Sequence, residues 1–434
     1  MIGLGSGNFT AQVAQLAGKG CTIAIGQGND PKATKIAWGK ANVYLSPNGQ
    51  LRIGPLVGFF LGRLKEQLQD ELTYYRAIMN KARELGILAF IFAPDGIDWQ
   101  QGLTYGYRST GSKEEKWEPI LLPLPDVIKS RFALLAEDEQ QEAYARLLRL
   151  ATNSKGRITI CDYQGQGNRV ELYQHLAGCH DLEAVLPAIR FPVSADNVAE
   201  LLQDYSSVVL KPVNGSRGNC LLSVRDDGKY HCQYDLERLF ALKERLINQS
   251  ALAGFLAEVT GDTPYLAQAG VAGITKNGMP VTFSVYLHKD EKGQWQVAAA
   301  LSMTVFPEAQ AGAQMYGWGM DRADKLLVQL FPDRHELLLA KLKNAALDVA
   351  RHLDAKPNHI YGELGLDLVL DKEDRVYVAD ITTEPLLLPL IQLGEVEKIA
   401  ELILRYSFYA AKMPMESGVK AELASFQVLP EETE

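Results

Sequence analysis

The feature that most constrains the fold is the stretch Gly362–Pro385, GELGLDLVLDKEDRVYVADITTEP, which has the pattern of a β-hairpin. Two apolar runs, Leu364–Leu370 and Val376–Ile381, flank a polar turn at 371–375. Apolar runs rich in β-branched residues on either side of such a turn indicate two strands that pair with each other. The sequence therefore predicts an antiparallel ladder whose register is set by the centre of the turn.

A turn centred between residues 373 and 374 places Asp367 directly opposite Asp380. Side chains on a strand alternate faces with a period of two, so Gly365 and Thr382 are expected on the same face. Glu363 also falls on that face, and Glu384 falls opposite it. The predicted hairpin therefore has one acidic face.

Facing carboxylates destabilise a sheet, and two of them at about 5 Å repel by roughly 3 kcal/mol at an effective dielectric constant of about 20. A hard divalent cation would offset this cost, and Mg²⁺ commonly uses one or two carboxylates together with nucleotide phosphates. We therefore interpret the face that carries Asp367, Asp380 and Thr382 as a Mg²⁺–nucleotide site. The alternative is a solvated hairpin edge, where water weakens the repulsion to roughly 1 kcal/mol.

Length and charge limit the class of protein. A chain of 434 residues, 47% hydrophobic and 22% charged, fits about two or three globular domains. Its net charge of −9 argues against nucleic acid or an anionic membrane as a partner. The five cysteines form no Cys-x-x-Cys pair and indicate free cytosolic thiols. No signal sequence and no apolar run of about 18 residues is present, so we expect a cytoplasmic protein without a membrane span.

The pattern along the chain predicts four segments. Residues 1–52 form a small β-rich segment, and 53–150 form an α/β domain that starts with a strand, a helix and a strand. Residues 151–412 alternate helices with hairpins, and 413–434 form a tail that frays at 430–434. One of the helices expected in the third segment spans Leu236–Thr260.

A second phosphate signal lies in 207–224, where a glycine-containing loop joins two apolar runs. Glycines allow backbone amides to approach an anion closely, and Ser216 adds a hydroxyl donor between Gly215 and Gly218. Lys211 ends the first run, where it could place its charge on phosphates. The loop is neither a Walker A motif nor a dinucleotide fingerprint. The alternative is an ordinary hairpin turn with an exposed lysine.

The order of these motifs, with a short strand and a glutamine at Gln268 between them, resembles the ATP-grasp fold. From about residue 50 to residue 405 the chain is similar to the YheC/YheD family of endospore coat-associated proteins. The segments that carry this resemblance are Arg52–Gly58 (RIGPLVG), Phe92–Ile97 (FAPDGI), Pro123–Asp126 (PLPD), Val209–Val213 (VLKPV) and Gly362–Asp367 (GELGLD).

The resemblance implies an α/β and α+β architecture, in which residues 53–150 are a pre-ATP-grasp domain and 151–412 the ATP-grasp domain. It implies binding of ATP and Mg²⁺, ligation of a small carboxylate or amino-acid-like substrate to an amine through an acyl phosphate, and a link to sporulation and spore coat proteins. A degenerate scaffold that acts by binding alone is the alternative. The residues implied are Lys211 on the phosphates; Gly215, Ser216 and Gly218 in a lid; Gln268, Ala269, Gly270 and Val271 in an adenine-reading hinge; and Asp367, Asp380 and Thr382 on the metal.

The chain also departs from the family pattern. Asp380 and Thr382 stand where Glu and Asn are usual, and Thr282 and Ser284 replace an Asp-x-Arg pair. The loop at 311–319 lacks the family's asparagine and paired glycines. Loss of the arginine removes a cation suited to an acyl phosphate, so another cation should replace it in a ligase. The candidates are Lys276, Lys289 and Arg322, and the candidates for the upstream ATP contact are Arg169 and Lys155.

Overall fold

The structure is a computed structural model whose described residues form four β-sheets with helices packed on them. It describes residues 2–4, 7–9, 11–17, 20–25, 39–45, 51–61, 72–98, 102–110, 117–131, 137–154, 158–161, 169–213, 219–234, 243–304, 319–355, 361–385, 387–413, 415 and 419–426.

The first sheet joins the two ends of the chain. Its first six strands are β1 Ile2–Leu4, β2 Gly7–Phe9, β3 Ala11–Ala17, β4 Gly20–Ile25, β5 Gly39–Leu45 and β6 Leu51–Ile53. A seventh strand, Val419–Phe426, lies between β4 and β5, parallel to the first and antiparallel to the second. This strand falls within the segment that the sequence predicts as a tail. Its local sequence pattern is weak, and backbone pairing with β4 and β5 on either side stabilises it as a strand. Residues 430–434 lie outside the described part of the chain.

The second sheet is built on the predicted strand–helix–strand unit. Its elements are β7 Leu56–Leu61, α1 Leu72–Leu85, β8 Leu88–Asp98, β9 Leu103–Ser109, β10 Trp117–Pro123, β11 Val127–Arg131, α2 Glu137–Asn153 and β12 Thr159–Cys161. The strand order is β10-β9-β8-β7-β11-β12, with β7 parallel to both β8 and β11. Strands β7 and β11 are buried along their whole length, as is typical of central parallel strands.

The third sheet carries the predicted phosphate segment. Its elements are α3 Arg169–Ala177, β13 Ile189–Arg190, α4 Ala195–Asp204, β14 Ser207–Pro212, β15 Cys220–Val224, β16 Tyr230–Tyr234, β17 Lys243–Ile247, α5 Leu252–Thr260 and β18 Tyr265–Ala269. The order is β13-β18-β14-β15-β16-β17. The helix predicted over Leu236–Thr260 is therefore too long. Residues 243–247 instead pair with β16 as an edge strand, because tertiary pairing overrides local helical propensity.

The fourth sheet contains the predicted acidic hairpin. The remaining elements are β19 Thr275–Lys276, β20 Met279–Lys289, β21 Trp295–Thr304, β22 Gly319–Arg322, α6 Ala323–Leu330, α7 His335–Asp354, β23 Glu363–Leu370, β24 Val376–Thr382, α8 Leu388–Gln392, α9 Val396–Ala410 and β25 Val419–Phe426, the strand of the first sheet. The order is β22-β21-β20-β23-β24, with β19 paired to β20.

The two faces of this fourth sheet differ in chemistry. Leu364, Leu366 and Leu368 on β23 lie in one core cluster with Leu342 and Val349 of helix α7. The alternate residues of β23 point to the other face, which carries the acidic side chains and packs against the second sheet. No helix among the described residues is long and apolar enough to cross a membrane.

Candidate functional site

The acidic hairpin has the predicted pairs. Asp367 lies opposite Asp380, and Gly365 lies opposite Thr382. Nearer the turn, however, Leu368 pairs with Val378, so the register shifts by one residue after Asp367. The predicted turn centre is therefore off by half a residue, and a β-bulge restores the predicted pairing beyond it.

The bulge leaves Ala379 without a residue opposite it, between the paired Val378 and Asp380. Strand β24 is the edge of its sheet, and Val185 and the third sheet cover that edge. The Val378 amide donates to the Val185 carbonyl at 2.8 Å. The Val378 carbonyl accepts from the Gln268 side chain at 3.1 Å. These contacts hold the acidic hairpin against the sheet that carries Lys211.

Lys211 reaches across from β14 to this edge. Its ammonium group donates to the Ala379 carbonyl and lies 3.8 Å from Asp380 Oδ1. The residue is only 5% exposed, so the alternative of an exposed lysine in an ordinary turn is wrong. The lid residues Gly215, Ser216 and Gly218 lie outside the described residues, and their role stays a prediction.

Arg169 is the second cation on Asp380. It begins helix α3, and its Nη2 lies 3.0 Å from Asp380 Oδ2. Its Nη1 donates to the Pro212 carbonyl at 2.8 Å, and its backbone amide donates to Val213 at 3.2 Å. The guanidinium is thus tied to the end of the strand that carries Lys211. Lys155, the other candidate for the upstream position, lies outside the described residues.

We call Arg169, Lys211 and Asp380 the site cluster, in which burial and neighbouring charges shift the pKa values of Asp380 and Lys211. Burial alone would raise the pKa of Asp380, but the adjacent Arg169 and Lys211 charges hold this pKa below its ordinary value. Burial lowers the pKa of Lys211, against the opposing effect of Asp380.

Asp367 behaves differently from its partner across the ladder. Burial raises its pKa to about 6, and the Asp380 charge adds to this effect. A hydrogen bond from the Ser284 hydroxyl and the charge of Lys211 act in the opposite direction. The two carboxylates therefore have pKa values on opposite sides of the ordinary value for Asp.

The oxygen atoms of Asp367, Asp380 and Thr382 suit a hard cation whose remaining ligands come from a bound molecule and water. Asp380 Oδ1 is buried without a hydrogen-bond partner, which leaves a lone-pair acceptor near Asp367. The Thr382 hydroxyl accepts from the Glu384 amide at 3.3 Å. Within the described residues no three His, Cys, Asp or Glu side chains gather as a metal-binding group. Two carboxylates fit Mg²⁺ when phosphates and water supply the remaining ligands.

The predicted hinge is part of strand β18 and the residues that follow it. Two of its amides are already used, since Ala269 donates to the Ala188 carbonyl and Gly270 to the Ser207 carbonyl, each at 2.8 Å. A Cβ on Gly270 would lie 2.0 Å from the Ser207 hydroxyl, so this close approach requires glycine. Reading of adenine by Gln268, Ala269, Gly270 and Val271 stays a prediction.

Two of the three candidate replacement cations have partners away from the acidic pair. Lys289 pairs with Asp354 at 2.6 Å. Arg322 pairs with Glu395 at 2.6 Å. Lys276 lies on the short strand β19, beyond the far end of β20. The residue directly opposite Asp367 on β20 is Ser284.

The sequence prediction missed two cations that do lie on the acidic face. Lys129 Nζ and Arg131 Nη1 lie 3.1 Å and 3.2 Å from the same oxygen of Glu363. Arg131 also donates to the Pro385 carbonyl at 3.0 Å. We call Lys129, Arg131 and Glu363 the clamp cluster. The available signal was the presence of two charged residues in a short strand flanked by apolar residues, a pattern that calls for a buried partner.

Comparison with known proteins identifies the family. The "YheC/D like ATP-grasp" family matches residues 157–413. The chain is 26% identical over 353 residues to the endospore coat-associated protein YheD of Bacillus subtilis (strain 168), covering 77% of this chain and 73% of the relative. It is 22% identical over 338 residues to YheC of the same organism, covering 75% and 88%.

Among solved structures, the D-alanyl-alanine synthetase A of Vibrio cholerae O1 biovar eltor str. N16961 matches with a TM-score of 0.47 and 10% identity, over 84% of this chain and 99% of that one. The family match covers more than half of the 434 residues of the chain. This chain belongs to the YheC/D-like ATP-grasp family and has the ATP-grasp fold.

Proposed function

We propose that this protein binds a Mg²⁺–ATP complex between the third and fourth sheets. Lys211 and Arg169 would hold the phosphates, and Asp367, Asp380 and the Thr382 hydroxyl would hold the metal. The observation that carries the proposal is the site cluster, in which a cation from helix α3 and a cation from strand β14 meet an acidic hairpin edge. Membership of the family supports ATP as the nucleotide.

Each group has a physical task. The Lys211 ammonium is a compact charge with three donors, and the Arg169 guanidinium is a planar donor fork, so both suit phosphate oxygens. A bound Mg²⁺ would neutralise charge that develops during phosphoryl transfer. The Ser284 hydrogen bond and the bulge at Ala379 fix where the two carboxylates present their oxygens.

We further propose that the bound nucleotide activates a small carboxylate. A carboxylate oxygen attacks the γ-phosphorus and the bond to ADP breaks, which gives an acyl phosphate. An amine nitrogen then attacks the acyl carbon, phosphate leaves with the bonding pair, the amine loses a proton and an amide forms. Family membership supports this reaction class. The names of the two curated relatives support an association with the spore coat after synthesis in the cytoplasm.

Hydroxylamine trapping tests the activation step. The protein is incubated with Mg²⁺–ATP, hydroxylamine and a panel of amino-acid-like carboxylates, and hydroxamate and ADP are measured. We expect equal amounts of both products with one class of carboxylate, and neither product from Asp380→Asn. Asp374→Asn is the matched control, because Asp374 lies in the turn of the same hairpin and pairs with Arg334 away from the site. Hydroxamate that forms equally with Asp380→Asn would contradict the proposal.

A nucleotide-binding scaffold without ligase activity is the second candidate. The observation that favours it is the pair Ser284 and Asp367, since a neutral hydroxyl stands where relatives carry arginine. Lys289 and Arg322, which could have replaced that charge, pair with other acids. A scaffold would bind Mg²⁺–ATP and stabilise a partner or a protein conformation, yet give no hydroxamate with any carboxylate.

A further inference from the structure

The site cluster satisfies its charges before any ligand is present. Asp380 has a cation at each oxygen, with Arg169 at 3.0 Å from Oδ2 and Lys211 at 3.8 Å from Oδ1. Within the described part of the chain no cation forms an ion pair with Asp367, which accepts a hydrogen bond from Ser284. The carboxylate proposed as a metal ligand is therefore already hydrogen-bonded to Arg169 and within ion-pair distance of Lys211, the two cations proposed to hold phosphate.

This arrangement disfavours a free metal ion. A divalent cation that approached Asp380 in the nucleotide-free protein would meet the charges of Arg169 and Lys211, which lie 3.0 Å and 3.8 Å from the oxygens of that carboxylate. Both cations are buried and held by backbone carbonyls, Arg169 by Pro212 and Lys211 by Ala379. They cannot move into bulk water without the loss of these bonds, and like charges at short range in a partly buried site repel strongly.

A nucleotide removes this obstacle, because its phosphates offer the cations another partner. Arg169 is bonded to Pro212 and Val213, the residues that follow Lys211 in sequence. The two cations are thus anchored to one strand end and face the same space. Once phosphate oxygens share their charge, the oxygens of Asp380 become available to a metal, and the phosphates add the ligands that two carboxylates cannot supply.

We infer that Arg169 and Lys211 block Asp380 until a nucleotide enters, so that the nucleotide binds before the metal and each strengthens the binding of the other. This inference rests on the proposed nucleotide site and specifies the order in which it fills. Thermodynamic linkage requires the effect to be mutual. Arg169 then acts as a positioning residue that determines the metal affinity of the empty site.

The experiment measures metal and nucleotide binding separately. Mn²⁺ is titrated into nucleotide-free protein and free Mn²⁺ is followed by electron paramagnetic resonance. ADP is titrated in the presence of EDTA and followed by calorimetry. We expect wild-type protein to bind ADP without metal and to bind Mn²⁺ alone at least about tenfold more weakly than Arg169→Gln does. Arg169→Lys should retain the weak Mn²⁺ binding of wild-type protein.

Two further variants complete the design. Asp380→Asn removes the competing carboxylate, so metal-free ADP should bind at least about threefold more tightly than it binds wild-type protein, in the direction that linkage requires. Arg190→Gln is the matched control, because Arg190 pairs with Glu200 at an exposed position of the same segment, and it should bind both ligands as wild-type protein does. Thermal melting confirms that each variant is folded.

The outcomes separate this inference from the proposed function. Mn²⁺ that binds nucleotide-free wild-type protein as tightly as it binds Arg169→Gln overturns the inference, even where Mg²⁺–ATP still binds. The inference is also overturned if the protein binds Mn²⁺ in the absence of nucleotide and binds ADP only when Mn²⁺ is present. That result would leave the proposed nucleotide site intact. Failure to bind nucleotide with or without metal overturns both proposals.

Discussion

The site cluster and the clamp cluster each contain one lysine, one arginine and one carboxylate of the same hairpin, yet their carboxylates differ in solvent exposure. Each joins one carboxylate to two cations from another sheet or helix. In the site cluster the Asp380 side chain is 21% exposed, whereas the Glu363 side chain of the clamp cluster is 3% exposed. Part of the Asp380 side chain is therefore open to solvent, although its Oδ1 is buried, whereas the Glu363 side chain is almost wholly enclosed.

This difference indicates different roles. A buried ion pair is costly to break, because loss of one partner leaves a charge in a medium of low dielectric constant. Arg131 holds both ends of the hairpin, through Glu363, the first residue of β23, and through Pro385, which follows the end of β24. The clamp cluster thus fixes the hairpin to the second sheet, while the site cluster keeps charges that can exchange partners.

Glu363→Gln should have the largest effect on stability. The change removes the carboxylate that Lys129 and Arg131 share, and breaking such a buried pair costs about 3 to 5 kcal/mol in the free energy of unfolding. Chemical denaturation measures this loss. The matched control is Glu258→Gln, since Glu258 pairs with Arg245 where both side chains are half exposed, and its loss should stay below about 1 kcal/mol. Equal losses in the two variants would remove the distinction between the clusters.

Lys211→Ala should weaken ligand binding in protein that thermal melting shows to be folded. Loss of a charged contact to phosphate should weaken ATP binding by about 1 to 3 kcal/mol, measured by competition with a fluorescent ATP analogue. Lys229→Ala serves as the control, because Lys229 pairs with Asp227 on an exposed turn of the same sheet. If the two variants bind ATP equally well, Lys211 does not contact the phosphates.

Asp367→Asn should change how stability depends on pH. The pKa of Asp367 in the folded protein is about 6, above the value of about 4 in an unfolded chain. The folded state therefore binds this proton more tightly, and wild-type stability declines as pH rises through 4 to 6. Asp367→Asn lacks this decline and should be more stable than wild-type protein by about 1 to 2 kcal/mol above pH 6. A stability difference that is the same at pH 4 and pH 8 would show that Asp367 is not the cause.

The sequence predicted the hairpin well, because its alternation of apolar and acidic residues fixes which side chains share a face. The pair Asp367 and Asp380 follows from that pattern. The bulge at Ala379 could not be predicted, since it depends on the edge contacts of β24 with Lys211 and Gln268. Near the turn the observed pairing differs from the predicted pairing by one residue, and the bulge cancels this difference. Without the bulge, a slip of one residue would move the side chains of a strand to the other face.

The contacts that the sequence could not predict share a physical reason. Arg169 precedes Asp380 by 211 positions, and Arg131 precedes Glu363 by 232, so both pairs depend on how sheets pack together. Local patterns carry no information about such contacts. Residues 419–426 illustrate the same limit, because a short apolar pattern near the end of the chain becomes a strand only when β4 and β5 lie on either side of it.

The most direct test of the central claim is calorimetric titration of wild-type protein with ATP, first with EDTA and then with Mg²⁺. The claim is that the acidic hairpin edge and the cations of the third sheet together form one Mg²⁺–nucleotide site. It predicts measurable binding in EDTA and binding at least about tenfold tighter with Mg²⁺. Absence of heat in both titrations, or identical affinity with and without the metal, would contradict the claim.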